Sequence, residues 1–329
     1  MIALRWPPAV CSSSSSANAY TPASTPSIVA FVDRSRKNCK KLCRFSKKAK
    51  AVLQPAAAQQ EEEEEFQVLT AVQSSYNNIV IVDTPKSRLL LLDSTHNVHS
   101  MLNKESKWTG SYWDEFGALP AVVPAGPIAI FGLGGGTAAH LMLDLWPSLQ
   151  LEGWEIDQIL IHKSRDYFGL SELEKHTIEG GVLNIHIGDV FTPEAAISGG
   201  YAGIIVDLFA EGKVLPQLEQ AATWLQLCDK LMPGGRFMVN CGGALPAEDD
   251  DASWKLNATI RALCEAFPGQ VELLFIFHLY FFEVNWKKMA KSAGENYLAL
   301  TGSLPDLSAW GAALPTQLSS SINQWGTCN

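Results

Sequence analysis

IAIFGLGGGTAAHLMLDLWPSLQLEGWEID, residues 128–157, is the stretch whose reading decides the fold. A short apolar run ends in Gly132-x-Gly134-x-Gly136, a helical pattern follows until Pro147, and a second apolar run ends in Glu155-Ile156-Asp157. That order predicts strand, glycine turn, helix and strand, the first half of a nucleoside-binding α/β unit. Glycines suit a turn that needs backbone angles closed to other residues and that lets a ligand come close to the main chain. Glu155 stands 23 residues after Gly132, at a strand tip where an acid accepts hydrogen bonds from ribose hydroxyls. Ile156 beside it joins the nucleoside-binding set.

The same rhythm continues outward. Strands are predicted at 127–132, 149–156, 183–189, 202–209, 235–241, 271–277 and 296–302. Helices are predicted at 137–146, 158–168, 215–231 and 252–267, the last two closed by Pro-Gly pairs. Strands alternating with helices make a parallel sheet. Gly188-Asp189-Val190 closes the third strand, where Asp189 accepts from an adenine amino group and Val190 lies beside the ring. Asp207 closes the fourth, at the carboxyl edge where open α/β sheets hold ligands, and is the one candidate catalytic group. A dinucleotide is disfavoured, because the sixth position of its glycine fingerprint is Thr137.

Ahead of this unit, FQVLTAV, NNIVIVDT and SRLLLLDS alternate as β-strands, with Pro85-Lys86-Ser87 as a tight connection. Residues 102–125 read as partly helical. The fold class is therefore α/β, a Rossmann-like seven-stranded doubly wound sheet preceded by a small N-terminal antiparallel β-sheet. The division is 1–60 as leader, 61–105 as the small sheet domain and 106–329 as the Rossmann-like domain.

Charge separates the leader from the rest. Residues 1–60 carry ten Lys or Arg and one acid, which leaves 15 basic against 33 acidic residues downstream. A body of net charge −18 repels polyphosphate, so nucleic acid is excluded as a partner. The Ser-rich, then basic, leader fits an organellar transit peptide, chloroplast (plastid stroma) first and mitochondrion second. Glu61–Glu65 marks a solvated boundary. No run reaches membrane-spanning length, the nearest (271–284) being broken by Glu272, His278 and Glu283. Seven cysteines form no CxxC pair, and no metal site is expected.

YNNIVIVDTPKSRLLLLDS (76–94), Tyr112-Trp113-Asp114, GLGGG, Glu155-Ile156-Asp157, Gly188-Asp189-Val190-Phe191 and KLMPGGRFMVN (230–240) together resemble the spermidine synthase branch of the class I S-adenosylmethionine-dependent methyltransferase superfamily, over roughly 66–310. The resemblance implies S-adenosylmethionine or decarboxylated S-adenosylmethionine as donor, a small-molecule acceptor, and a homo-oligomer. The departures fall on the chemistry. Thr137 and Ala138 replace the Asp-Gly that follows the family's glycines, and Ala210 replaces the second acid of its strand-four motif, with Glu211 following. A base within reach is what an attacking ammonium needs. These departures place methyl transfer to an unnamed acceptor first, aminopropyl transfer with Glu211 recruited second, and a non-catalytic binding or assembly protein third. Tyr112, Asp114 and Glu115 read first as a helix with a solvated acidic face and second as candidates to line an acceptor pocket, and His96 and His99 stand where the family has polar acceptor-site residues.

Overall fold

Alternating Val, Ile and Leu between Phe66 and Leu92 can bury one face only as strands, and they do so. The computed structural model describes residues 66–243, 257–268, 283–289 and 296–328; the leader and the predicted strand at 271–277 lie outside them. The first sheet is antiparallel, in the order β1 (Gln67–Gln73), β2 (Asn78–Asp83), β3 (Ser87–Leu91), β4 (Ser100–Asn103). Pro85 sits in the turn between β2 and β3, which the Thr84 amide closes onto the Ser87 carbonyl at 2.8 Å. The sheet buries Ile79, Ile81, Leu90 and Leu92 against Leu160 and Phe168 of the main body. β4 went unpredicted, because Ser-Met-Leu-Asn carries no alternation.

The link to the main sheet is less helical than predicted: one turn, α1 (Tyr112–Glu115), runs into a 3₁₀ segment, Phe116–Val122, interrupted by Pro120. Then come β5 (Ile128–Phe131), α2 (Thr137–Leu145), β6 (Gln150–Glu155), α3 (Gln158–Tyr167), α4 (Leu170–Leu173), β7 (Val182–Ile187), β8 (Tyr201–Val206), the hairpin β9 (Phe209–Ala210) and β10 (Lys213–Val214), α5 (Ala221–Cys228), β11 (Leu231–Asn240), α6 (Ala258–Ala266), β12 (Val284–Lys288), β13 (Tyr297–Thr301), α7 (Leu307–Ala312), α8 (Thr316–Ser319) and β14 (Gly326–Thr327). The helix predicted over 215–231 is broken. Pro216–Glu219 is 3₁₀, and extended Gln220 restarts the chain as α5.

The large sheet has the order β14-β12-β13-β11-β8-β5-β6-β7. Seven of its strands have four or more residues, and two-residue β14 adds an eighth at one edge. β5, β6, β7, β8 and β11 are parallel, while β13 runs antiparallel between β11 and β12. β12 was missed because Val-Asn-Trp-Lys-Lys reads as a polar surface segment. In place, the Asn285 amide donates to the Gly302 carbonyl at 2.7 Å, and the Lys287 ammonium lies 2.8 Å from Glu115.

β5 and β8 are buried at every position, as strands covered on both faces must be. Period-2 alternation splits β5: Ala129 and Phe131 join the layer containing Trp224, Phe237 and Leu263, while Ile128 and Ile130 join the layer containing Leu119, Met142 and Trp310. Burying each large side chain stabilises by about 1.5–3 kcal/mol. Successive crossovers run outward in opposite senses from β5 and β8, so the crevice at their carboxyl ends is a topological switch point.

Candidate functional site

The glycine turn leaves β5 with positive φ at Gly132 (101°), Gly134 (56°) and Gly136 (80°), the last opening α2. Only glycine holds such angles cheaply. Space dictates the residue as well: a Cβ on Gly132 would overlap the Asp207 carbonyl oxygen. The close approach that requires glycine here is thus to the chain's own β8 end.

Glu155, at the tip of β6, is fully buried. One carboxylate oxygen accepts from the Gly134 amide at 3.1 Å and the other from the Asp157 amide at 3.0 Å. Burial raises its pKa to about 7, the two amide hydrogen bonds opposing the shift. Asp157 caps α3 through Ile159 (3.0 Å) and Leu160 (3.2 Å). Its second oxygen accepts from Ser74 at 2.5 Å and Asn77 at 2.8 Å, which ties the β1–β2 turn to the main body. Half-buried Ile156 and buried Val190 pack on one apolar cluster. Asp189, half-buried, accepts from the Phe191 amide at 2.9 Å, so part of its capacity goes to shaping its own turn.

Asp207 follows β8 and is 3% exposed. Its oxygens accept from the Asn240 amide group at 2.9 Å and the Tyr112 hydroxyl at 3.2 Å. Burial and the facing carboxylate hold the Tyr112 phenol well above its ordinary pKa, so it stays a donor. Asp207, Gly132, Thr137, Ser100, Trp113 and Phe116 line a cavity of about 10 Å³, room for about one water molecule. Two contacts from β4 seal that side: Ser100 Oγ accepts from the Gly135 amide at 2.8 Å, and the Thr137 hydroxyl accepts from the Met101 amide (2.8 Å) and donates to its carbonyl (3.0 Å).

No family model matches the chain. A probable polyamine aminopropyl transferase of Bifidobacterium longum (strain NCC 2705) is 26% identical over 169 residues, 51% of this chain and 36% of that protein, so the chain spans about a third of that relative's length. Among solved structures, a probable spermidine synthase from Corynebacterium glutamicum ATCC 13032 superposes with a TM-score of 0.54 at 16% identity, over 75% of this chain and 87% of that one. The fold is spermidine-synthase-like. The spermidine synthase of Thermotoga maritima aligns at a TM-score of 0.49 with 15% identity, over 78% of this chain and 87% of that one.

Within this spermidine-synthase-like fold Asp114 and Glu115 are held by structural partners. Asp114 accepts from the Thr109 amide (3.0 Å), the Thr109 hydroxyl (2.8 Å) and the Gly110 amide (2.8 Å), closing the loop ahead of α1. Glu115 pairs with Lys287 and accepts from the Ser321 hydroxyl at 3.0 Å. Neither acid faces the cavity beside Asp207. The first reading of both, as the solvated acidic face of a helix, is corrected: both are buried, and their partners, up to 206 residues away, give them structural roles. Glu211 is exposed at the tip of the β9–β10 hairpin with φ 50° and does not line the cavity beside Asp207. His99 is buried with Nε2 3.4 Å from Asp93. Burial opposes ionisation of Asp93, but His99 and Thr95 outweigh it and hold its pKa at about 2. Among the described residues, no group of three or more His, Cys, Asp or Glu is arranged to hold a metal, and no helix is long and apolar enough to cross a membrane.

Ser100 and Asn240 are site residues that sequence reasoning missed as such. Asn240 had a legible signal, a polar residue ending an apolar strand beside β8. Ser100 had none.

Proposed function

We propose that the protein is a transferase taking a donor of the S-adenosylmethionine class, with aminopropyl transfer from the decarboxylated donor to an amine as the first reading. The observation that carries it is the Asp207 carboxylate, held by Tyr112 and Asn240 directly against the glycine turn. A cationic amine needs an anionic partner and a proton acceptor at the reacting centre, and Asp207 is the acid lining this cavity. Methyl transfer, placed first from the sequence departures, moves to second, because the curated relative is named for aminopropyl transfer; the second acid of the strand-four motif is still replaced by Ala210.

The donor's sulfonium supplies the leaving group, and the protein supplies positioning. Glu155, Ile156, Asp189 and Val190 are the residues to hold the nucleoside; their donor–acceptor chemistry and apolar flanks fit it. The space fits only after movement, since about 10 Å³ admits no nucleoside tail. Ser100 and Thr137 must therefore release the glycine turn as the donor enters.

Calorimetry of S-adenosylmethionine and its decarboxylated form against the protein tests the reading. Tighter binding of the decarboxylated donor, lost in Glu155→Gln, is expected. Preference for the methyl donor promotes methyl transfer. Binding of neither leaves the non-catalytic reading, which the sealed β4 contacts favour. The leader at 1–60 is proposed to direct plastid import, checked by the location of a fluorescent fusion with and without those residues.

A further inference from the structure

α1 is one helical turn of four residues, too short to fix its own orientation through backbone hydrogen bonds. Side chains at its far end supply what the turn lacks. The Glu115 carboxylate lies 2.8 Å from the Lys287 ammonium on β12 and accepts from the Ser321 hydroxyl at 3.0 Å. The 3₁₀ segment that follows is pinned as well, the Trp310 indole N–H donating to the Ala118 carbonyl at 3.1 Å. At the other end of the same turn, the Tyr112 hydroxyl donates to Asp207 at 3.2 Å. Residues three apart share a helix face, so movement at Glu115 is passed to Tyr112. Trp113 and Phe116, the neighbours of this turn's two anchors, line the cavity beside Asp207.

The Glu115–Lys287 pair is poorly suited to stabilising the fold. Its side chains are 9% and 1% exposed. Burial lowers the Lys287 pKa, and the Glu115 charge opposes that shift. Among the described residues the ammonium makes no well-directed hydrogen bond, only this close approach to the carboxylate. A buried pair so thinly satisfied contributes little net stability, and packed apolar side chains of similar volume do as well or better. What the pair does supply is a single orientation. Asp114, the adjacent acid, spends its oxygens on Thr109 and Gly110 and does not compete for Lys287.

We propose that Glu115 and Lys287 are positioning residues for the transfer centre, their buried pair setting the orientation of α1 so that the Tyr112 hydroxyl meets Asp207. The kinetic consequence rests on the transferase reading; the geometric one does not. Tyr112 occupies one Asp207 oxygen and Asn240 the other, and together they aim the carboxylate. With α1 loosened, Asn240 alone holds it.

The test separates orientation from stability. Lys287→Met and Glu115→Met each leave one buried charge without its partner and should lower the urea midpoint strongly. The double variant, Glu115→Met with Lys287→Met, removes both charges and should regain a midpoint near the parent's. Fluorotyrosine is incorporated into the full chain, and the Tyr112 fluorine resonance is assigned by its loss in Tyr112→Phe. In the double variant that resonance should move and broaden despite the regained midpoint. With the decarboxylated donor and an amine, its kcat should fall by about tenfold or more while the donor KM stays within about twofold, because the strand-end acids are untouched. A parental Tyr112 resonance in the double variant would overturn the proposal. So would a midpoint no better than that of the single variants, since the pair would then serve stability, or a parental midpoint in either single variant, since the charges would then not meet. A fall confined to donor KM would overturn it as well. If the parent turns over no donor, the transferase reading fails, and the Tyr112 resonance still decides the positioning.

Discussion

At the ends of β6 and β7 the crevice is built mainly on backbone amides: Glu155 takes those of Asp157 and Gly134, Asp189 takes that of Phe191, and Ile156 keeps part of its side chain exposed. At the ends of β5 and β8 it is built from afar. Tyr112 and Asn240 reach Asp207 across 95 and 33 residues, and β4 lays Ser100 and Met101 on the glycine turn. The first side is a set of strand-end acids that hold backbone turns, Glu155 reaching the glycine turn as well as its own. The second is a sealed cluster with every inward polar atom named above already partnered within the chain. The contrast teaches that the two sides differ in what fixes them, backbone amides at the first and side chains from distant elements at the second, while the N-terminal sheet touches both, through Ser74 and Asn77 on Asp157 and through Ser100 on the Gly135 amide.

The strongest way to break the comparison is Gly132→Ala, since Gly132 joins both sides. Its φ of 101° and the overlap of a Cβ with the Asp207 carbonyl predict a loss of about 4 kcal/mol, read as a lower chemical-denaturation midpoint. A near-parental midpoint would show that the two sides are not rigidly joined.

Glu155→Gln isolates the nucleoside side. The pKa of Glu155 rises from 4.5 to about 7 on folding, so the folded state binds the extra proton between those values. Its contribution to stability is therefore fully present below pH 4.5 and is lost as pH rises through 7. Parent stability relative to the Gln variant should fall by about 3 kcal/mol between pH 4 and 8, measured by denaturant titration across that range. A flat difference would place the carboxylate in contact with water.

Thr137→Val tests the seal on the transfer side. Leaving the Met101 amide and carbonyl without the hydroxyl should cost about 2 kcal/mol in urea denaturation. Donor affinity should be equal or tighter, because the same contacts oppose entry. Weaker affinity would mean that the β4 contact shapes the donor site rather than closing it. The smallest effect is expected from Glu211→Gln, within about 0.5 kcal/mol in stability and with turnover unchanged, since the side chain is exposed on its hairpin tip. A large fall in turnover would return Glu211 to the role of base.

The strand–turn–helix–strand order at 128–157, the antiparallel pairing at 67–91 and the positions of Gly132, Glu155, Asp189 and Asp207 at or just past strand ends were legible, because strand alternation, glycine at positive φ and Pro stops are local signals. β12 was not. Its buried Asn285 and Lys287 look like surface residues until their partners at Gly302 and Glu115 are placed. Asp114 and Glu115 read as a solvated acidic face because the helix alone shows neither the Thr109–Gly110 loop that Asp114 closes nor the Lys287 that Glu115 meets.

The sequence by itself determined the doubly wound sheet, the N-terminal strands and the place of the crevice, because periodicity and glycine turns act within a few residues of the chain. Only the tertiary structure decided that Glu155 would be buried and proton-hungry, that Asp207 would be shared by Tyr112 and Asn240, and that β4 would seal the glycine turn. Burial and hydrogen-bond partners across 33 to 95 residues are properties of packing, and packing sets a carboxylate's charge and reach.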